Sequence, residues 1–261
     1  MNGIFPADVA VYLVFFPIVS YIFMTHRWSG FLPWYYLIVF CLARIVGGAL
    51  GIHDSNSLAA NIIQSVGVSP LLLSVDGLIH EARVYRYPSK SQILGWSVVI
   101  ATTSIMAAAI ALSIVGALNI YEGHPKPDSY SFWKAGTALI VVLWILQVFW
   151  SLFSMLPHKD RAQGLAGQGS TAIHPDFILI FSNDTSQLLQ GAFIALLFIG
   201  IRVIYTLVAV CTRKKDLSPV TGSTAVRVVL LFLPEALATL TLIVVGLRTR
   251  HLRDLKLATR Y

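Results

Sequence analysis

Seven stretches of this sequence are long and apolar enough to cross a bilayer, and that leaves few folds open. A helical span needs about 20 apolar residues, and such runs fall at about residues 7–24, 32–52, 57–81, 93–120, 132–156, 187–211 and 225–247. Inside lipid every backbone N–H and C=O must find an internal partner, which restricts spanning structures to helices and closed barrels. These runs are far longer than a barrel strand of about 9–11 residues. The expected fold is therefore all-α, a single seven-helix membrane domain covering residues 1–261. Charged residues make up only 12% of the chain, against about 25% in a soluble protein. The net charge of +7 is then read as basic flanks facing an anionic membrane surface. With no basic–aromatic interleaving, nucleic acid is not an expected partner; the bilayer is.

The N-terminus lacks a basic region and a small-residue cleavage site, so it is expected to remain as the first span. An odd number of spans puts the termini on opposite sides. Eleven Lys and Arg residues flank the spans on the C-terminal side and six on the other. That excess favours a cytoplasmic C-terminus and an outside or lumenal N-terminus, although Arg213, Lys214 and Lys215 count against it. The segment 158–183 is long, rich in glycine at first and then apolar. It is too short to span, so it is read as a loop with an interfacial segment. Ser182, Asn183 and Asp184 are read as the cap of the sixth span.

Ionisable and polar residues inside the spans are the functional candidates, because each charge costs roughly 2.5–3.5 kcal/mol in a bilayer even on the mildest scale. The third span carries Asn61, Gln64, Asp76, His80 and Glu81, with Pro70 in mid-span. Asp76, His80 and Arg83 share one helical face at i, i+4 and i+7. Arg44 lies in the second span, Arg202 and Tyr205 in the sixth, and Glu235, directly after Pro234, in the seventh. Arg44, Arg202 and Glu235 fall at similar depth. Two cations facing one anion call for a second carboxylate, from Asp76 or from an acidic ligand. The alternative for any one pair is an ion pair that locks helix register. Pro234 is expected to kink its helix just before Glu235. Direct co-operation of Asp76 with Glu235 requires a kink at Pro70 or a tilted span, and Gly47-x-x-x-Gly51 is expected to permit close helix packing.

Several chemistries are absent from the pattern. The histidines are scattered, no nucleotide-binding glycine motif or serine-hydrolase elbow occurs, and the seventh span has no central lysine for a retinal Schiff base. Cys41 and Cys211 stand alone in apolar context. No metal and no cofactor is expected, and no oligomeric state is read from the sequence.

The residues Arg44-Ile45-Val46-Gly47-Gly48, followed by Val66-Gly67-Val68-Ser69-Pro70-Leu71-Leu72-Leu73, resemble a family of small fungal seven-helix membrane proteins, most without assigned function. There is a looser likeness to membrane-bound epoxide hydrolases and terpene cyclases of fungal polyketide and meroterpenoid pathways. The tryptophan–acid motifs of those cyclases are missing here. The resemblance implies an enzyme of secondary metabolism, in the endoplasmic reticulum or another endomembrane, opening or cyclising a lipophilic epoxide. Such chemistry needs an acid for the epoxide oxygen and a base for the attacking group. Glu235 is the expected acid and Asp76 the expected base, assisted by His80. Arg44, Arg202, Tyr205, Asn61 and Gln64 are the expected substrate contacts. The competing expectation is a seven-helix receptor or small transporter that binds an acidic lipophilic ligand.

Overall fold

The computed structural model describes residues 4–26, 31–54, 57–86, 92–121, 128–156, 175–212 and 222–249. Their regular structure is helical throughout. In chain order the elements are α1 (Ile4–His26), α2 (Phe31–His53), α3 (Leu58–Val66), α4 (Val68–Arg86), α5 (Gln92–Tyr121) and α6 (Ser129–Met155). They are followed by α7 (Pro175–Thr212), the short α8 (Thr224–Arg227), a π-helical turn at Val228–Phe232, and α9 (Leu233–Arg248). Seven helical stretches are long and apolar enough to cross a membrane. The third joins α3 to α4, and the seventh joins α8, the π turn and α9. The protein is an integral membrane protein with an all-α architecture.

The third span forms the centre of the bundle. Of its most apolar window, 76% is buried, against 22% in the first span. Helix α4 buries Leu71, Leu72, Val75, Leu78, Ile79 and Ala82 together with the polar Ser69, Ser74, Asp76 and Glu81. It packs against α2, α5, α6 and α7. Helix α1 lies on α2 and touches α9, while α5 pairs with α6, α6 with α7, and α7 with α9.

Packing in lipid depends on close backbone approach and on hydrogen bonds between helices. A Cβ on Gly136 of α6 would lie 2.6 Å from the Ala109 carbonyl oxygen of α5. The two glycines of the Gly47-x-x-x-Gly51 motif serve different partners: Gly47 meets Ile63 of α3 and Gly51 meets Phe5 of α1. Ser74 Oγ donates to the Pro33 carbonyl at 2.8 Å, joining α4 to α2. Trp144 Nε1 donates to the Leu196 carbonyl at 2.8 Å, joining α6 to α7. Such bonds average only about 0.6 kcal/mol in a membrane, so they set register more than they set stability.

Three features of the helices go beyond the sequence reading or depart from it. The interruption of the third span falls at Gly67, ahead of Pro70. Proline lacks an N–H, and its ring clashes with the carbonyl four residues earlier. That carbonyl belongs to Val66, the last residue of α3, so the helix breaks there. Before Pro234 the same constraint is absorbed by the π turn, where Leu233 N–H reaches back to the Val228 carbonyl. Finally, α7 begins at Pro175 and not near Gln187, so residues 175–183 have helical backbone continuous with the sixth span. Ser182, Asn183 and Asp184 lie inside that helix and do not cap it. Of the expected loop, residues 158–174 lie outside the described residues.

Candidate functional site

Both helix interruptions sit beside one buried polar network. Arg44 of α2 is buried, and its guanidinium runs past the turn at Gly67; a Cβ there would lie 3.2 Å from Arg44 Nη2. Arg44 Nη1 donates to Gln64 Oε1 at 2.5 Å. Gln64 of α3 passes the link on, its Nε2 donating to Asp8 Oδ2 of α1 at 2.6 Å. Arg44 Nη2 also forms an ion pair with Glu235 Oε2 of α9.

The other Glu235 oxygen, Oε1, accepts from Arg202 Nε of α7 at 3.0 Å. Arg202 then uses its remaining nitrogens locally. Nη1 donates to Thr206 Oγ1, and Nη2 donates to the Gln64 backbone carbonyl at 3.0 Å. The last carbonyls of a helix have no partner within it, and Gln64 lies in the last turn of α3. Arg202 therefore closes the break in the third span. Asp8, Arg202 and Glu235 are each 0% exposed.

Arginine can only donate hydrogen bonds, so Glu235 Oε1 is the acceptor of the Arg202 bond, while Oε2 meets Arg44 as an ion pair. The network holds two guanidiniums and two carboxylates, and its formal charge is balanced. The second carboxylate is Asp8, not Asp76. Sequence reasoning passed over Asp8 because it lies in the first turns of span one, where an acid reads as an interfacial residue. The charge imbalance among Arg44, Arg202 and Glu235 was the signal that could have found it. Arg227 was likewise counted with a flank; it is buried over the Phe5 ring at 5.7 Å, within electrostatic range of Asp8. Among the described residues, Asp8 Oδ1 and Tyr12 Oη are buried without a hydrogen-bond partner.

The remaining candidates divide. Tyr205 is buried near Arg202 and Arg227, and Asn61 is buried in α3, three residues before Gln64. Asp76 and His80 face α5 instead. Thr102 Oγ1 donates to Asp76 Oδ2 at 2.6 Å. The His80 ring meets Trp96 edge-on at 5.2 Å between centroids, in space left open by Gly95. Arg83 turns to α6, lying 4.1 Å above the Trp150 ring and donating to Ser154 Oγ at 2.9 Å. The structure thus assembles Arg44, Gln64, Arg202 and Glu235 with Asp8, and sets Asp76 and His80 against α5.

A small cavity of about 10 Å³ borders the network at Thr206 and reaches Ser113 and Thr137. That is close to the size needed for one water. Among the described residues no group of three His, Cys, Asp or Glu side chains is placed to hold a metal.

The sequence matches the family described as a domain of unknown function, DUF7702, over residues 1–165 and 180–252. The chain belongs to that family. No curated protein and no solved structure matches the chain. Within DUF7702 the network described above joins parts of the chain from the first span to the seventh, all inside the matched segments.

Proposed function

We propose that this protein binds an acidic lipophilic molecule inside the bilayer, as a receptor or carrier, and that the Arg44–Glu235–Arg202 network is the latch the ligand opens. The observation that carries this reading is Glu235 held between two arginines from separate helices, at the point where two spans are interrupted. A purely structural core has little use for such a device, because replacing buried ion groups with packed apolar residues is often neutral or stabilising. Interrupted membrane helices with charged partners are the usual substrate-binding elements of carriers. A ligand carboxylate has the same acceptor geometry as Glu235 or Asp8 and can exchange for either.

The test is binding of oleate and oleyl alcohol to the purified protein in nanodiscs. Oleate should bind tighter than the alcohol. Asp8→Asn removes an internal competitor and should tighten oleate by about tenfold, equivalent to about 1.4 kcal/mol, without changing the alcohol. Equal binding of acid and alcohol, with no response to Asp8→Asn, sinks the reading.

Epoxide opening is the second reading, favoured by one observation: Asp76 is a buried carboxylate with a hydroxyl donor at 2.6 Å and His80 one turn further along α4. In this reading Asp76 and His80 work on a substrate between α4 and α5, apart from Glu235. Incubation with a lipophilic epoxide should yield a diol that Asp76→Asn abolishes. No diol from the unaltered protein removes this reading.

A further inference from the structure

At the membrane face that carries the C-terminus, a groove of about 340 Å³ lies between α7 and α9. This falls within the ~300–1,000 Å³ of small-molecule sites. Its floor is set by the contact of Gly191 with Val245. One end is polar: Gln187 and Gln190 come from α7 and Arg248 from α9. The other end is apolar, with Ile194 on one wall and Leu240 on the other.

Polarity changes along both walls in step. On α9, Arg248, Val244 and Leu240 are separated by one turn each, and on α7, Gln190 precedes Ile194 by one turn. At 1.5 Å rise per residue, α9 passes from cation to hydrocarbon over about 12 Å. That is the gradient a phospholipid carries from phosphate to acyl chain. Among the described residues no acidic side chain lines the groove. The sequence beyond Arg248 adds Arg250, Arg253, Lys256 and Arg260 against a single acid, Asp254. Basic clusters directly after a span attract anionic lipid headgroups by about 1 kcal/mol per cation.

We propose that this groove is a binding site for an anionic phospholipid. The headgroup phosphate is held by Arg248 and by the amide N–H groups of Gln187 and Gln190, with an acyl chain between Ile194 and Leu240. The site is separate from the latch, and the inference does not rest on the function proposed above.

The experiment titrates phosphatidylserine, phosphatidylcholine and inorganic phosphate separately into the detergent-solubilised full chain. Melting temperature and lipid adducts in native mass spectra are followed together. Phosphatidylserine should raise the melting temperature by roughly 5 °C at saturation and give a one-lipid adduct, while phosphate alone does neither. Arg248→Gln, at an exposed position, should weaken the phosphatidylserine effect at least fivefold in midpoint concentration. Thr241→Trp fills the groove and should remove the adduct; if that variant does not fold, Gln190→Leu with Arg248→Gln serves the same end. Equal effects of the two lipids, a shift with phosphate alone, or full phosphatidylserine binding by Arg248→Gln overturns the proposal.

Discussion

Glu235 accepts from Arg202 and pairs with Arg44 while being 0% exposed, and its replacement tests whether it is the ionised partner that holds the two arginines. Glu235→Gln leaves two buried guanidiniums with one carboxylate, Asp8. Removing one partner of a buried pair costs about 3–5 kcal/mol, so this variant should melt early in detergent. Glu235→Gln with Arg202→Met restores the balance of one cation and one anion. The pair should recover about 1–3 kcal/mol relative to the sum of the single changes. A Glu235→Gln protein that melts like the unaltered one contradicts the latch. At this scale the sequence went far: Arg44, Arg202, Glu235 and Gln64 were all visible as polar groups too costly to face lipid. Asp8 was not, because a carboxylate near a span's end has water within reach in sequence terms, and only the tertiary packing of α1 on α2 removes it. The partnership of Asp76 was unreadable for a similar reason. Its depth was plain, but its neighbour Thr102 depends on which helix lies alongside α4.

At the level of elements, the two interrupted spans obey one rule. Each irregularity lies near the carbonyl four residues before a proline, Val66 before Pro70 and Leu230 before Pro234, because that is where the ring clash and the missing donor fall. Gly67 is the residue that lets the break serve the network. A Cβ there would sit 2.8 Å from the Ile63 carbonyl oxygen and 3.2–3.3 Å from the Arg44 guanidinium, and neither can withdraw without loss. Gly67→Ala should therefore destabilise by about 1–3 kcal/mol, the usual cost of overpacking. Gly95 offers the contrast. A Cβ there meets only the His80 ring, at 3.0–3.1 Å, the far end of a side chain and no backbone atom. Gly95→Ala should change melting by less than about 1 kcal/mol. Comparable losses from both substitutions, measured by thermal unfolding in one detergent, contradict the view that the break at Gly67 is closed around Arg44.

For the whole molecule, the number of spans was legible because length and apolarity are local properties of the chain, whereas the order of helices around α4 is not. Orientation joins the two. Asp8 in α1, Gln64 in α3 and Glu235 in α9 all lie toward the membrane face that carries the N-terminus, and the α7–α9 groove lies toward the opposite face. The excess of Lys and Arg, eleven against six, predicts that the C-terminal face is cytoplasmic. A protease-cleavable tag placed after Tyr261 should then be cut in sealed microsomes, and a glycosylation site added before Ile4 should be modified. The natural Asn183-Asp184-Thr185 sequon supplies an internal control, since in this orientation it stays on the cytoplasmic side and must remain unmodified. Should the tag be protected and Asn183 be glycosylated, the assignment is reversed, and with it the consequences of the fold. In the predicted orientation an acidic ligand reaches Arg44 and Arg202 from the lumenal or outer leaflet, while the groove at Arg248 meets the anionic cytoplasmic leaflet. Inverted, the groove would face the leaflet poorest in anionic lipid, and the pull of Arg248 and the basic residues after it would have no counter-charge to act on.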